Sequence, residues 1–485
     1  MALRALDLAV VLGYLAAITW FGSTFRKNQR TLSDYFLGGR QLPWWALALS
    51  VVSAETSILT IVSTPGISYR SNFGFLQLIL GYLVGRVVVA FVLIPRYFSG
   101  ELFTAYQFVE RRFGRTVKLF TAALFLTTRA LAEGVRVFAI AIVVQVAFPS
   151  GALAAVAIIV ALTLFYTFQG GLAAVIWTDV IQLSIYLSGT AVALFVALHG
   201  IHGGWAQVRE IAQLAGGKFQ VFDFHLSLHD PYLFWSGLVG GAFLTSASHG
   251  TDQLIVQRLL AARNKRQSQA ALLSSGVVIL GQFTLFLTVG VVLFAYYRQS
   301  PPAVAFARSD QVFPAFVVNE LPSGLAGLLM AAILAAGMAN LSAALNSLAS
   351  SSVVDFYKPF FNPAADEQRS LKLSRYFTLA WGVVLIAIAF AAAHLHQGVL
   401  ELALTIASVP YGSMLGIFLL GALTRRTTPA GALTGAVAGL AALILVILFT
   451  SIAWTWYVPI GTSVTFTVGW TASLLSSRRM RLEAD

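Results

Sequence analysis

The chain is a succession of long apolar runs separated by short polar breaks. Thirteen runs are read, over residues 5–25, 43–66, 74–98, 116–148, 151–169, 174–199, 233–258, 270–297, 324–352, 373–394, 398–421, 428–450 and 453–476. Each approaches or exceeds the length of about 20 residues that an α-helix needs to cross a hydrocarbon core. The runs are continuously apolar instead of alternating, which predicts helices and excludes the dyad pattern of a β-barrel. The fourth run is longer than a crossing requires, so part of it must tilt or protrude.

Composition removes the soluble alternative. Hydrophobic residues make up 58% of the chain, charged residues 10%, and mean hydropathy is +0.81. Soluble domains carry about 25% charged residues. No loop is long enough for a separate catalytic domain, so residues 1–485 are read as one transmembrane domain. The net charge of +12 fits an orientation signal better than a nucleic-acid surface. With the N-terminus outside, 22 basic loop residues fall inside and six outside. The inner set begins with Arg26, Lys27, Arg30 and Arg40 and ends with Arg478, Arg479 and Arg481. That asymmetry predicts an odd number of spans, an outer N-terminus and a cytoplasmic C-terminus. The expected location is a cell membrane, with a bacterial inner membrane favoured. The absence of cysteine excludes a disulfide framework or thiolate metal site. The first run follows only Arg4 and lacks a cleavage signature, so it is read as a retained helix.

Charges inside the runs mark candidate chemistry. The basic residues are Arg86, Arg129 and Arg136; the acids are Glu55, Glu133, Asp179 and Asp252. Ionisable groups at membrane depth are costly and by default mark a pathway or site. Arg129, Glu133 and Arg136 recur at i, i+4 and i+7, which places them on one helix face. Arg129 and Glu133 can pair within the helix. The remaining positive charge calls for Glu55, Asp179 or an anionic ligand; the alternative is a static ion-pair network between helices.

Glu55 lies in the segment SAETS, where Ser53, Thr56 and Ser57 compete with the helical backbone for hydrogen bonds. A polar patch in mid-span is the signature of a broken helix, with Pro65 and Gly66 expected to end the segment. In the ninth run Ala332, Ala336, Ala339, Asn340, Ala343 and Ser347 share a face that lets another backbone approach closely. Asn340 and Ser342 offer oxygens there. YTFQGGLAAVIWTD, residues 166–179, carries a Gly-Gly turn. Asp252 and Gln253 sit toward the inner part of the seventh run. Histidines are expected in or near outer loops, without metal spacing. Phosphate-binding, nucleophile-elbow and H-E-x-x-H motifs are absent, which removes support for ATP-driven transport and hydrolysis.

Five segments together resemble the sodium:solute symporter family: SDYFLGGRQLPWWALALSVVSAETS (33–57), YTFQGGLAAVIWTDVIQ (166–182), TDQLIVQRLLAARN (251–264), AAGMANLSAALNSLASSSVVDFY (335–357) and GIFLLGALTRRTTPAGALTG (416–435). The resemblance implies an all-α membrane protein of thirteen transmembrane helices with a LeuT-type fold. A leading helix (5–25) precedes two inverted five-helix repeats (43–199 and 233–421), and two helices follow (428–476). It also implies that the first helix of the first repeat is broken at SAETS, with Glu55 facing the central cavity.

By position, the resemblance implies a sodium ion held by carbonyls of Ser53, Thr56 and Ala336. Its two hydroxyl positions fall on Ala339 and Asn340, a departure, because alanine has no side-chain oxygen and asparagine supplies an amide oxygen. A second sodium site implied for some members maps to Asp179, Ser342 and Ala343, and Ala343 again lacks the hydroxyl. No organic cofactor is implied. An arginine of the fourth helix holds the solute carboxylate in sialic acid transporters, which implies Arg129 or, one register away, Arg136. Glu133 lies between them. Glu55, Ser57, Thr60, Phe75, Gln77, Asp252, Gln253 and Tyr411 complete the candidate solute site, a mixture suited to a sugar or a sugar acid.

The function expected is secondary active symport. Sodium influx drives uptake of a small polar solute, a sugar, sugar acid or other organic anion, by alternating access. Partners are that solute and the lipid bilayer, with no nucleic acid and no obligate protein partner. The alternatives are a proton-coupled or uncoupled carrier using Glu55, a channel, and a solute-sensing membrane module. The short tail SSRRMRLEAD argues against the last, and no catalytic constellation supports an enzyme.

Overall fold

The structure, a computed structural model, describes residues 4–25, 31–100, 102–147, 152–302, 306, 308–361, 366–392 and 399–482. Arg26, Lys27 and Arg30 of the expected inner charge set lie outside these residues. The described chain is helical. Its principal helices are α1 Ala5–Thr24, α2 Trp44–Glu55, α3 Ile58–Arg70, α4 Leu76–Val88, α5 Tyr106–Phe113, α6 Arg115–Ala147 and α7 Ala152–His199. After a connecting segment come α8 Phe234–Gly250, α9 Gln253–Leu260, α10 Lys265–Gln299, α11 Leu325–Ser351, α12 Glu367–Ala392, α13 Val399–Leu423, α14 Pro429–Phe449 and α15 Tyr457–Leu482.

Among the described residues nine helical stretches are long and apolar enough to cross a membrane, and ten if the bent pair α2–α3 is one span. The helix α6 has 33 residues, about 50 Å at 1.5 Å per residue, in keeping with the over-long fourth run. The fifth and sixth runs are two helical segments, taken together as α7, that meet at a break at Gly171, whose φ of 56° favours glycine, in keeping with the expected Gly-Gly turn.

The sequence-derived boundaries fail at two places. Pro65 and Gly66 do not end the second run; α3 continues through both to Arg70. Gly290 of α10 leaves room beside the Pro65 carbonyl, and Ser68 Oγ lies 3.2 Å from it. The fixed φ of proline is helical, so only the amide hydrogen bond to the Ile61 carbonyl is lost and the helix passes through. The seventh run is also not continuous. It breaks at Thr251 and Asp252, where the Asp252 side chain caps the start of α9 by accepting from Leu254 N at 2.9 Å.

Small residues set the helix spacing. The helices α4 and α8 pack through Gly81, Gly85, Gly237 and Gly241; a methyl group at Gly237 would stand 2.8 Å from the Gln77 backbone. The helix α11 is buried along nearly its whole length and packs on α1, α2, α3, α6 and α7. The loop between α7 and α8 is pinned to the end of α3 by Lys218, whose ammonium donates to the carbonyls of Tyr69 (2.7 Å) and Ser71 (2.9 Å). Burial and the neighbouring Arg298 lower its pKa to about 8.

Candidate functional site

Two helix breaks meet at the centre of the bundle. The first bends α2 against α3 by 66° at Thr56 and Ser57, both in extended backbone conformation. Ser57 Oγ accepts from Thr60 N (3.3 Å), and Thr60 Oγ1 accepts from Ser57 N (3.2 Å). This reciprocal cap explains locally why SAETS stops one helix and starts the next. The second break is the one at Thr251 and Asp252. Such breaks leave backbone groups and dipole ends facing a cavity.

A cavity of about 110 Å³ lies between them. Glu55, Ser57, Thr60, Phe75, Arg129, Arg136 and Tyr411 line it, as candidates from sequence. Asp252 and Glu133 stand behind the wall and hold its arginines. Arg129 donates to Glu133 (2.8 Å), to Tyr411 (3.0 Å) and to Asp252; Tyr411 also donates to Asp252. Arg136 pairs with Glu133 and donates to Asn340 Oδ1 at 3.2 Å. The cation partner of the α6 face is therefore Asp252, not Glu55 or Asp179. Glu55 pairs with Arg86 and lies 3.5 Å from His249 Nε2. Three arginines face three carboxylates, a balance that burial demands.

Two sequence candidates, Gln77 and Gln253, neither line this cavity nor hold its arginines. Gln77 donates to Tyr232 O (2.9 Å) and accepts from Asp223 N (2.9 Å), so its amide ties down the loop between α7 and α8. Gln253 accepts from Ala105 N (2.9 Å) and donates to Phe103 O (2.9 Å), so it anchors the segment before α5. Conversely, Arg86 and His249 belong to the site. The expectation that histidines lie in or near outer loops fails for His249, which is buried at the end of α8. The signal was present in HGTD, a glycine and an N-capping aspartate interrupting an apolar run. Tyr82, Ser248 and Phe283 also line the cavity and carried no such signal.

The residues implied for sodium are all buried. The Asn340 amide donates to Thr56 O at 2.7 Å, while its own oxygen accepts from Arg136. Thr56 Oγ1 donates to Val52 O (2.7 Å) and accepts from Gln282 (2.7 Å). As folded here, N–H donors occupy the Thr56 carbonyl and the Asn340 oxygen, two of the oxygens a cation would use. Around the second implied site, Asp179 Oδ2 accepts from Ser50 (2.5 Å) and Arg258 (2.9 Å), and Ser342 accepts from Thr167 (2.8 Å). Asp179 Oδ1 has no hydrogen-bond partner among the described residues.

Two helix breaks enclosing a cavity edged by balanced charges inside a membrane bundle define a solute carrier. The chain belongs to the sodium:solute symporter family, whose profile matches residues 35–439. It is 29% identical over 474 residues to the sodium/sialic acid symporter NanT of Aliivibrio fischeri, covering 96% of this chain and 92% of that protein. It is 30% identical over 433 residues to the human sodium/iodide cotransporter, covering 87% and 66%. Among solved structures, a Na+-coupled sialic acid symporter in a substrate-bound outward-open state superposes with a TM-score of 0.89. Its identity is 26%, with coverage of 97% of this chain and 98% of that one. The nucleobase-cation-symport transporter Mhp1 in a closed conformation shares the fold at a TM-score of 0.56 and 12% identity. The LeuT-type fold and sodium–solute symport implied by the resemblance thus hold. The family and these relatives are transporters, not enzymes.

Proposed function

We propose that the solute is a small organic carboxylate, with a sugar acid such as sialic acid the first candidate. The observation that carries this reading is the pair of arginines on one face of α6 in the cavity wall. Arg136 is the more open of the two, its side chain 22% exposed against 6% for Arg129. A guanidinium matches a carboxylate in two parallel hydrogen bonds. Arg129 is committed to Asp252, Glu133 and Tyr411, so Arg136 receives the anion and Arg129 fixes the wall. Ser57, Thr60 and Glu55 supply hydroxyl and carboxylate partners for the rest of the solute, and Phe75 an apolar face. The relatives support an anion: the names of the two reported above specify sialic acid and iodide.

In this reading thirteen helices cross the membrane, with the N-terminus outside and the C-terminus cytoplasmic. Residues 43–199 and 233–421 form the two repeats of a single domain. Sodium binds between the α2–α3 break and α11, at carbonyls of Ser53, Thr56 and Ala336 and the amide oxygen of Asn340, beside Ala339. Asp179 Oδ1 is the oxygen left for a second ion, and Ser342 is its other candidate ligand. A bacterial inner membrane is the setting.

Thermal unfolding of the purified protein in sodium chloride, screened with sialic acid, pyruvate, glucose and mannitol, tests the solute class. Stabilisation by an acid and not by the neutral sugars is expected. Stabilisation by glucose or mannitol alone overturns the carboxylate. A second reading, proton coupling, rests on Glu55 standing against His249 and Arg86. It requires uptake driven by a pH gradient without sodium, abolished in Glu55→Gln.

A further inference from the structure

We propose that the side chain of Asn340 is the coupling element between solute and sodium: it serves as a sodium ligand only when the solute carboxylate draws Arg136 away from it. The inference rests on the reading of a sodium-coupled carboxylate carrier and adds the residue that makes the coupling.

The argument starts from the two faces of one amide. Asn340 Nδ2 donates to Thr56 O at 2.7 Å, and Asn340 Oδ1 accepts from Arg136 Nη1 at 3.2 Å. These partners fix its orientation, because the reverse would set oxygen against oxygen and N–H against a guanidinium. Asn340 is only 2% exposed, so water does not relieve either contact. In this arrangement the amide covers a carbonyl of the broken helix and turns its own oxygen toward a positive charge. A sodium ion beside Thr56 would meet an N–H donor and, one residue further, a guanidinium.

Arg136 connects this seat to the solute cavity. It lines the 110 Å³ cavity together with Glu55, Ser57 and Thr60, and also lines a narrow cleft with Asn340. A carboxylate bound in the cavity competes with Asn340 for the guanidinium and neutralises it. Rotation of the amide then removes Nδ2 from the Thr56 carbonyl and brings Oδ1 to the same place. Sodium gains two oxygens and loses a nearby positive charge in one step. Linkage makes the effect reciprocal: sodium held by Asn340 leaves Arg136 free for the carboxylate. Glu133 remains paired with Arg129, so moving Arg136 does not strand a buried acid. A hydroxyl at position 340 would be too short to link the two sites, which gives the amide a role that serine lacks.

The test is the sodium concentration for half-maximal thermal stabilisation, with choline chloride holding ionic strength constant, with and without sialic acid. Wild type, Arg136→Met and Asn340→Ser are compared. In Arg136→Met the sodium midpoint without sialic acid is expected about tenfold below that of wild type, the worth of one charge-assisted hydrogen bond. Asn340→Ser is expected to bind sodium with a midpoint that sialic acid no longer moves, whereas sialic acid lowers the wild-type midpoint. A merely structural role for either side chain would lower melting equally in sodium and choline and leave the midpoint in place. An unchanged midpoint in Arg136→Met, with a sodium response in wild type, overturns the coupling element and leaves symport standing. No sodium response in any of the three proteins overturns both. If sialic acid fails to act on wild type, the Arg136→Met midpoint alone decides the proposal.

Discussion

The two helix breaks at the centre of the bundle are built differently. Between α2 and α3 the cap is neutral, a hydroxyl pair of Ser57 and Thr60, and the adjacent carboxylate of Glu55 reaches the cavity with 16% of its side chain exposed. Between α8 and α9 the cap is the carboxylate of Asp252, fully enclosed and tied to Arg129 and Tyr411. The first break keeps its polar groups available; the second is locked to α6 and α13. An asymmetric pair of this kind separates two tasks, ligand contact at one break and support of the wall at the other.

The comparison is most sharply strained by Asp252→Ala. This change removes a helix cap and leaves Arg129 sharing Glu133 with Arg136. A loss of about 3–5 kcal/mol in unfolding free energy is expected, the cost of stranding a buried charge, read from denaturant titration. A smaller effect follows at the other break. Ser57→Ala removes a hydroxyl cap and should cost about 1 kcal/mol, while weakening solute affinity in the thermal screen. A larger stability loss for Ser57→Ala than for Asp252→Ala would reverse the assignment of roles.

The smallest effect concerns the C-terminal end of α3. Lys218, from the loop, holds this end, whereas α9 ends on its own Arg258, which donates to Leu254 O at 2.7 Å. In the unfolded chain a lysine titrates near 10.4, as in model peptides; burial brings Lys218 to about 8. Between these values the unfolded chain binds more protons, so this group makes stability rise with pH across the window from about 8 to about 10.4. Lys218→Met should flatten that rise in melting temperature between pH 8 and 10.

Much of this architecture is written in hydropathy. Apolar runs gave the helices, and SAETS located the first break because hydroxyl side chains act within three residues of chain. The break at Thr251 was harder to see, since one N-capping aspartate in an apolar run looks like any buried acid. Pairings across helices were the least legible. Arg129 and Glu133 are four residues apart and readable; Arg129 and Asp252 are 123 residues apart and meet only through the packing of α6 on the second break. Gln77 and Gln253 look like cavity amides in sequence, yet backbone groups of neighbouring loops claim them. The Asn340 contact with Arg136 likewise depends on how α11 lies against α6.

The most direct measurement is uptake of radiolabelled sialic acid by proteoliposomes containing the purified protein. An inward sodium gradient is compared with choline at equal ionic strength. The account predicts accumulation above equilibrium only with sodium, and its loss in Arg136→Met. Equal uptake in choline, or full sodium-driven accumulation by Arg136→Met, would contradict it.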